Sequence, residues 1–392
     1  MSIVRTEGGV ETTQWPNALG GPAAAQARIL ERLRTLVEQE SPSGDVARVS
    51  ALALEVAAML ETAGLEVDRI EAPGYGINLR ARLEGAEPEL EPVVVLAHLD
   101  TVHPVGTLER QPFRVVGDRA EGPGIYDMKA GIAVLVDVLD RMHRAGERPR
   151  RPLRVVVTCD EEIGSNSSRA LIESEARGAR AVLVPEPSLP GGAAKTARKG
   201  VATYELLIQG RAAHAGVEPE RGASAIAELA HQILAVLALA DPARGTTVNV
   251  GVVSGGTASN VVAAEARAEI DVRLAVMEEA ARVDAAMRAL RPVTPGVSID
   301  VRGGVNRPPL ERTDAVVELY RHARALAAGL GVDLGEGSTG GASDGCFTAA
   351  LGVPTLDGLG PRGGGAHSTD EHIIVSDLPF RAALFARLFQ TL

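Results

Sequence analysis

Short apolar runs that alternate with amphipathic segments constrain the fold of this chain more than any other feature. The runs GINLRARL, EPVVVLAHLD, PLRVVVTCDE and RAVLVPEP are typical of strands, and KAGIAVLVDVLDRMHRA between the second and third is typical of a helix. Apolar spacing of three and four also predicts helices over 22–40 and 45–63. Strands that alternate with helices indicate an α/β fold with a sheet covered on both faces.

The order of elements changes near Arg198. From VATYELLIQG to VSIDVRGG the pattern reads strand, helix, strand, strand, helix, strand, which is the βαββαβ order of a ferredoxin-like unit. We therefore predict a larger discontinuous domain over 22–197 and 308–392, with a mixed central sheet between helices, and an inserted smaller domain over 198–307. Residues 1–21 offer little to bury, and we expect them to be poorly ordered.

Length and composition exclude several classes of function. A chain of 392 residues exceeds the usual size of one core, which favours two domains. The net charge of -11 argues against nucleic acid as a partner, and no run reaches the ~20 apolar residues of a membrane span. Only Cys159 and Cys346 are present, so no disulfide framework exists, and we expect a cytoplasmic protein.

Residues that can bind metals follow several of the predicted strands. His98 and Asp100 stand two apart in AHLD, where a strand would point both side chains to one face. Alone, each motif has an ordinary structural explanation, but ligands bind at the carboxyl ends of strands in open α/β sheets. The other candidates of this kind are Asp127, the consecutive Asp160, Glu161 and Glu162, Glu186, and His367. His103 and His372 follow His98 and His367 closely, so a contact beside the site is open for both, but a surface histidine is favoured.

The motifs AHLDTV, GPGIYDMKAG, DEEIGS, PEPS, GRAAHAG, GGASDG and AHSTDE together resemble the di-zinc aminoacylase and glutamate carboxypeptidase family of metallopeptidases. The resemblance covers roughly residues 25–392 and is strongest to the glutamate carboxypeptidase branch. It implies that the inserted domain serves as a lid and dimerisation domain, and that a homodimer forms through it. It also implies a cis peptide bond after Asp127.

The same resemblance implies two Zn²⁺ ions per subunit. His98 and Glu186 would bind one ion, Glu162 and His367 the other, and Asp127 would bridge them. The two positive ions would balance these three carboxylates and a bridging hydroxide, which explains why acidic residues cluster there. Asp100 would orient His98. Glu161 would act as the general base.

Further residues of the family motifs would bind the substrate. The resemblance implies that His214, supplied by the partner subunit, holds the substrate carbonyl oxygen, with Asn260 close to it. Arg307 would grip a free carboxylate, completed by the backbone of the turn at Ala342, although Ala342 stands where Gly or Thr is expected. Arg273 has acidic neighbours, so a plain salt bridge and a substrate contact are equally open.

We therefore expect a zinc-dependent hydrolase that cleaves the amide bond of a small molecule or short peptide beside a free carboxylate. An N-acyl-amino-acid deacylase or a dipeptidase would use the same machinery and remains open. A catalytically inactive metal-binding dimer is the alternative of another class, against which the unliganded Glu161 argues. A cysteine hydrolase based on Cys159 is disfavoured because no histidine is paired with it by a local motif.

Overall fold

The structure is a computed structural model that describes residues 15–392. Residues 1–14, most of the segment that we expected to be poorly ordered, lie outside the described residues. Within the remainder of that segment, a short turn at Asn17–Leu19 buries Ala18 and Leu19 in the core.

The helices predicted over 22–40 and 45–63 are present as Pro22–Val37 and Val46–Thr62. Several start at a side-chain cap, as where Asp45 accepts a hydrogen bond from the amide of Arg48. The helices are α1 (Pro22–Val37), α2 (Val46–Thr62), α3 (Thr107–Arg110), α4 (Ala130–Arg144), α5 (Arg169–Ala176), α6 (Ala225–Leu237), α7 (Met277–Arg288), α8 (Asp314–Gly329), α9 (Gly345–Ala350) and α10 (Leu378–Thr391).

The strands include all the apolar runs named above. They are β1 (Glu66–Ala72), β2 (Gly76–Leu83), β3 (Val93–His98), β4 (Arg114–Val116), β5 (Arg119–Glu121), β6 (Leu153–Thr158), β7 (Ala181–Leu183), β8 (Ala194–Arg198), β9 (Gly200–Gln209), β10 (Thr247–Gly255), β11 (Glu265–Leu274), β12 (Ser298–Arg307), β13 (Glu336–Thr339), β14 (Thr355–Leu356), β15 (Gly363–Gly364) and β16 (His372–Ile374).

The described chain divides into two compact units. The larger unit comprises residues up to Lys195, Thr313–Gly337 and Val353–Leu392, and the smaller unit comprises Thr196–Arg312 and Ser338–Gly352. The segment Ser338–Gly352 thus belongs to the smaller unit, whereas the sequence analysis placed it in the larger domain. Hydrogen bonds explain its position, because the Arg198 guanidinium donates to the carbonyl of Ala342 at 2.9 Å.

The larger unit contains a mixed central sheet in the order β1-β2-β6-β3-β7-β14. The neighbours β6, β3, β7 and β14 run parallel, while β1 and β2 are antiparallel additions at one edge. Strand β3 is buried along its whole length, as its unbroken apolar sequence predicts. Helix α2 packs on β1 and β2, and α4 packs against α1 and α10.

A second, small antiparallel sheet of the larger unit has the order β15-β16-β5-β4. His372 of β16 lies opposite Glu121 of β5, which places the loop 365–371 beside the turn that follows β5. The sequence analysis did not predict this sheet because its strands are only two or three residues long.

The smaller unit has the predicted βαββαβ order, formed by β9, α6, β10, β11, α7 and β12. Its sheet has the antiparallel order β10-β11-β9-β12, with β10 at one edge. Buried and more accessible residues alternate along β9 and β11, so one face of the sheet packs on a separate apolar core.

Among residues 15–392, the helices are either too short or too polar to cross a lipid bilayer. Cys159 and Cys346 are both buried, and neither forms a disulfide bond within that range.

Candidate metal centre

Three of the predicted site residues follow adjacent parallel strands of the larger unit. His98 ends β3, Glu162 follows β6, and Glu186 follows β7, and these strands are neighbours in the sheet. Parallel strands bring their carboxyl ends to one edge, so the topology itself gathers these side chains. All three side chains are less than a tenth exposed.

Asp127 lies in the turn before α4, between the ends of these strands. One of its carboxylate oxygens, Oδ1, is 3.1 Å from His98 Nε2, and Glu186 Oε1 is 3.4 Å from the same nitrogen. The backbone departs from helical geometry at Asp127 and Met128, and the peptide bond between them is cis, which confirms that expectation.

His367 faces Asp127 from the opposite side. Its Nε2 atom lies 3.5 Å from Asp127 Oδ2 and 3.3 Å from Glu162 Oε2. Its backbone has φ 64°, a left-handed conformation that is uncommon for a residue with a side chain. Asp127 therefore presents one oxygen to each histidine, and the five predicted ligands converge on this carboxylate.

The adjacent Glu161 and Glu162 leave regular strand geometry. Both lie in a short helical turn, Glu161–Ile163, that is followed by Gly164 and Ser165 with φ 101° and 56°. A strand would turn the two carboxylates to opposite faces. The turn buries Glu161 to 8% exposure beside the cluster and brings Glu162 within reach of His367.

Asp160 has a different role from its two acidic neighbours. Its carboxylate accepts hydrogen bonds from the Ser167 amide and the Ser168 hydroxyl, both at 2.6 Å, and it is fully buried. It therefore fixes the loop after the acidic run. Of the three consecutive carboxylates, Asp160 therefore stabilises the loop, whereas Glu161 and Glu162 lie at the cluster.

Asp100 contacts His98 mainly through its backbone. The carbonyl oxygen of Asp100 is 3.0 Å from His98 Nδ1, whereas its carboxylate Oδ1 is 3.6 Å away, beyond hydrogen-bonding distance. The carboxylate instead accepts hydrogen bonds from the amides of Glu161 and Glu162 at 3.0 and 3.1 Å. Asp100 thus holds His98 with its main chain and the acidic turn with its side chain.

The electrostatics of the cluster are those of charges that compensate one another. Burial opposes a charge on His98, but the carboxylates around it outweigh burial and raise its pKa. Asp127 and Glu162 raise the pKa of His367 to about 10. Burial and the nearby Asp127 raise the pKa of Glu162, whereas the two histidines hold the pKa of Asp127 low.

The donor set fits divalent metal ions. Imidazole nitrogens and carboxylate oxygens are the ligands that zinc binds in catalytic sites. His98, Asp127 and Glu162 each offer a ligand atom, and these atoms lie within 4.8 Å of one another. Glu162 Oε1 is buried and has no hydrogen-bond partner among the described residues, which is costly for a carboxylate unless a cation is bound there.

Cys159 has no features of a nucleophile. Its side chain is fully buried, and burial together with the nearby Asp160 raises the pKa of the thiol to about 12. A thiol of that kind carries almost no reactive thiolate at neutral pH.

The smaller unit holds the arginines that we predicted to bind substrate. Arg307, at the end of β12, is 5% exposed, lies 3.4 Å from Asp344 Oδ1 and stacks over the ring of Phe347. Arg273 pairs with Asp271 at 2.8 Å on an accessible surface, the plain salt bridge that the sequence analysis left open. Of the two predicted arginines, Arg307 therefore has the buried surroundings of a recognition site.

His214 and Asn260 lie together on an exposed surface of the smaller unit. The amide of Ala215 donates to the carbonyl of Asn260 at 2.9 Å, so the predicted proximity of the two residues is present. The His214 ring accepts a hydrogen bond from the Gly216 amide at 3.1 Å. The turn at Ala342 contacts Arg198, a buried arginine that the sequence analysis did not single out.

The sequence analysis also missed residues around the cluster. Lys195 Nζ lies 4.0 Å from Glu186 Oε2, and Glu371 forms hydrogen bonds to the turn that carries Asp127. His103, which we expected at the surface, is 11% exposed and contacts Glu371. The acidic residues Asp370 and Glu371 after His367 were the available signal. The residues that Glu371 contacts, Asp127 and His103, lie far from it in the sequence.

The site gathers two histidines and several carboxylates at one edge of the α/β sheet, a donor set suited to a metal-dependent hydrolase. The model of peptidase family M20/M25/M40 matches residues 94–391. The chain belongs to this family, which confirms the resemblance drawn from the motifs, and it is a metal-dependent peptidase or amidohydrolase.

Two curated relatives and one solved structure illustrate the similarity. Carboxypeptidase G2 from Pseudomonas sp. (strain RS-16) is 33% identical over 94% of this chain and 90% of its own length. Succinyl-diaminopimelate desuccinylase from Methylorubrum extorquens is 32% identical over 84% of this chain and 90% of its own length. The Bacillus subtilis YXEP protein, described as a dinuclear metal-binding M20 peptidase, superposes with a TM-score of 0.66 at 18% identity, covering 94% of this chain and 98% of that one.

Proposed function

We propose that the chain is a di-zinc carboxypeptidase that hydrolyses the amide bond preceding a C-terminal residue with a free carboxylate, such as glutamate. The observation that carries the proposal is the position of Asp127, whose two oxygens face His98 and His367 separately. Carboxypeptidase G2, similar over almost the whole chain, supports the carboxypeptidase reading.

The residues of the larger unit would share the catalytic work. His98 and Glu186 would hold one zinc ion, Glu162 and His367 the other, and Asp127 both. Two zinc ions bound there would polarise the scissile carbonyl. They would also lower the pKa of a water molecule, so that it can lose a proton and attack the carbonyl carbon. Glu161 would accept a proton from the attacking water, whose oxygen bonds to the carbonyl carbon, and would donate that proton to the amine nitrogen as the C–N bond breaks.

Arg307 would recognise the substrate carboxylate. A guanidinium group binds a carboxylate through two parallel hydrogen bonds, and burial strengthens that interaction. Arg307 is held in place by Asp344 and Phe347 within the smaller unit. Phe347 covers one face of the guanidinium, so the fork approaches its ligand in a fixed plane.

An amidase that acts on N-acyl amino acids is the second candidate. The similarity to succinyl-diaminopimelate desuccinylase favours it, because that relative's name describes removal of an acyl group. The same cluster and the same general base would serve this reaction.

We also propose a homodimer that forms through the smaller unit. Strand β10 lies at the edge of its sheet, and Val252 and Val253 on it are each 53% exposed. Leu234 on α6 is 70% exposed, and Leu237 is 42% exposed. An unpaired edge strand beside exposed leucines is suited to pairing with a second copy. His214 would then be supplied to the partner subunit.

Cytoplasmic location remains a prediction from the cysteine content. Two buried thiols outside any disulfide bond fit a reducing compartment.

The function is tested with zinc-loaded protein and matched substrates. Peptides and N-acyl amino acids with a C-terminal glutamate are compared with the same compounds blocked as amides. We expect cleavage of the free acids alone, and Arg307→Lys should raise KM by roughly 10- to 100-fold because the bidentate contact is lost. Arg302→Lys, on the same strand but 63% exposed, should leave KM unchanged. Equal cleavage of acids and amides would contradict the proposal.

A further inference from the structure

Glu371 is a fully buried carboxylate that does not belong to the predicted ligand set. Its Oε1 atom accepts hydrogen bonds from the amides of Tyr126 and Asp127 at 2.8 and 2.9 Å. Its Oε2 atom accepts one from the amide of Gly124 at 2.8 Å and contacts His103 Nε2 at 2.6 Å. Each carboxylate oxygen thus has two donors.

Burial of the Glu371 carboxylate is energetically unfavourable by itself. A carboxylate removed from water loses several kcal/mol of hydration, which the surrounding donors must replace. The donors here are three backbone amides of one turn and a histidine, so the carboxylate fixes the backbone between Gly124 and Asp127. Gly124 has φ 68°, and a Cβ atom there would lie 2.5 Å from Thr101, so the turn is also confined from the other side.

The backbone topology delivers Glu371 to this position. β16 begins at the next residue and pairs with β5, which leads directly into the turn. The amide of Gly122 also donates to the carbonyl oxygen of Glu371 at 3.5 Å. The main chain and the side chain of Glu371 therefore hold the same segment.

We propose that Glu371, tethered by His103, is a positioning residue that fixes the Asp127 carboxylate between His98 and His367. The inference rests on the proposed function, since it assigns Asp127 the bridging role. Asp127 has to present one oxygen to each histidine, and a rotation of its backbone would withdraw one of them. Outer contacts of this kind typically change metal affinity or activity by ~10- to 100-fold.

His103 extends this arrangement to the surface. Its ring lines a cavity of 430 Å³ that is also bordered by His367, Arg110 and Pro112. The histidine therefore closes one side of the Glu371 carboxylate while facing the space beside a predicted ligand. Removal of the ring would open that carboxylate to water from the cavity.

The test compares Glu371→Gln with a matched control elsewhere in the chain. Glu228 is also fully buried, and it accepts hydrogen bonds from the amides of Val293 and Thr294 in the smaller unit. Glu228→Gln should lower thermal stability as Glu371→Gln does. The readouts are zinc affinity measured by competition with a chelator, thermal unfolding of the metal-free protein, and separate kcat and KM values.

We expect Glu371→Gln to weaken the lower-affinity zinc ion and to reduce kcat, each by ~10-fold or more, with KM unchanged. Glu228→Gln should keep wild-type zinc affinity and kcat. His103→Leu, which cannot donate a hydrogen bond, should weaken zinc in the same direction, and His103→Gln, which can, should restore affinity. The histidine variants keep the test valid if Glu371→Gln does not fold.

Wild-type zinc affinity and kcat in Glu371→Gln would overturn the inference, as would an equal loss of both in Glu228→Gln. The zinc measurement separates this outcome from failure of the proposed function. If the wild-type protein binds two zinc ions but cleaves no substrate, the proposed function fails, while the affinity of Glu371→Gln still decides the role of Glu371.

Discussion

At the scale of single residues, Asp100 positions other residues of the site although it is not one of the predicted metal ligands. Its carboxylate accepts hydrogen bonds from the amides of Glu161 and Glu162 and, at 2.7 Å, from the hydroxyl of Ser43. These contacts set the direction of two adjacent glutamates with different proposed roles. The sequence placed Asp100 near His98, but only the structure shows its contacts with the acidic turn.

We expect Asp100→Asn to lower kcat by roughly 10- to 100-fold. An amide offers one acceptor oxygen where the carboxylate offers two, so one glutamate amide loses its partner. Ser43→Ala removes a single donor and should have a much smaller effect. Steady-state kinetics with the metal content determined for each variant check this, and equal effects of both substitutions would contradict the assignment.

Glu279 in the smaller unit predicts a dependence of stability on pH. Arg282, Thr246 and Arg244 hold the pKa of this fully buried carboxyl at about 2, below the ordinary 4.5. A carboxyl group whose pKa is lower in the folded than in the unfolded protein stabilises the fold at pH values above its unfolded pKa. This contribution disappears as the pH falls from 4.5 through about 2.

Glu279→Gln should therefore flatten the loss of stability on acidification. Urea midpoints from circular dichroism at about pH 6 and about pH 3 give the comparison with wild type. Glu278→Gln is the control, because Glu278 is adjacent in sequence but 81% exposed. A wild-type pH dependence in Glu279→Gln would show that this carboxyl is not the source.

At the scale of elements, α1 is bound to α4 by charged groups as well as by apolar packing. Asp137 on α4 is fully buried and receives two hydrogen bonds from Arg28, at 2.9 and 3.0 Å. Removal of one partner from such a pair leaves a charge without compensation.

Asp137→Ala should therefore destabilise the larger unit by about 2–3 kcal/mol, because it removes hydrogen bonds between charged groups while Arg28 keeps partial access to water. Unfolding in urea can be followed by the fluorescence of Trp15, the single tryptophan, which packs against the core of that unit. Glu38→Ala removes the exposed ion pair with Arg34 on α1 and should cost less than about 1 kcal/mol. A small effect of Asp137→Ala would mean that apolar contacts alone bind the two helices.

Some elements were predictable from the sequence and others were not, for physical reasons. The run GINLRARL matches β2 residue for residue, and the βαββαβ order was visible, because alternation and apolar runs are local signals. Strand β1 was missed, since it is an accessible edge strand with charged residues in its sequence EVDRIEA. The small sheet around β16 depends on pairing between distant segments, which local patterns do not encode.

The candidate site follows the same division. The five residues predicted as ligands could be selected from the sequence because each sits in a motif at the end of a strand or in a glycine-rich turn. Glu371 and Arg198 were missed because their importance lies in contacts with backbone atoms of remote turns, at Asp127 and Ala342. A carboxylate that binds amides has no sequence pattern of its own.

At the scale of the whole molecule, the proposed dimer makes a prediction about assembly. Leu234→Glu places a charge among the exposed leucines of α6 and should convert a dimer to a monomer, since burial of an unpaired charge in an interface is unfavourable. Leu54→Glu, at a leucine that is 48% exposed on α2 in the larger unit, is the control.

Sedimentation of both variants measures the mass in solution. A monomeric wild-type protein, or a dimer that persists in Leu234→Glu, would contradict the proposed interface. If His214 acts in the partner subunit, Leu234→Glu should also lose activity, whereas Leu54→Glu should retain it.

The neighbours Glu161 and Glu162 would perform different tasks, and one experiment with two variants distinguishes these tasks. Zinc content and kcat are measured for Glu161→Gln and Glu162→Gln beside the wild-type protein. We expect Glu161→Gln to keep two zinc ions and to lose about 10²- to 10⁴-fold in kcat, as expected for loss of a general base. Glu162→Gln should lose zinc affinity. Retained activity in Glu161→Gln, or loss of zinc from it, would contradict the account.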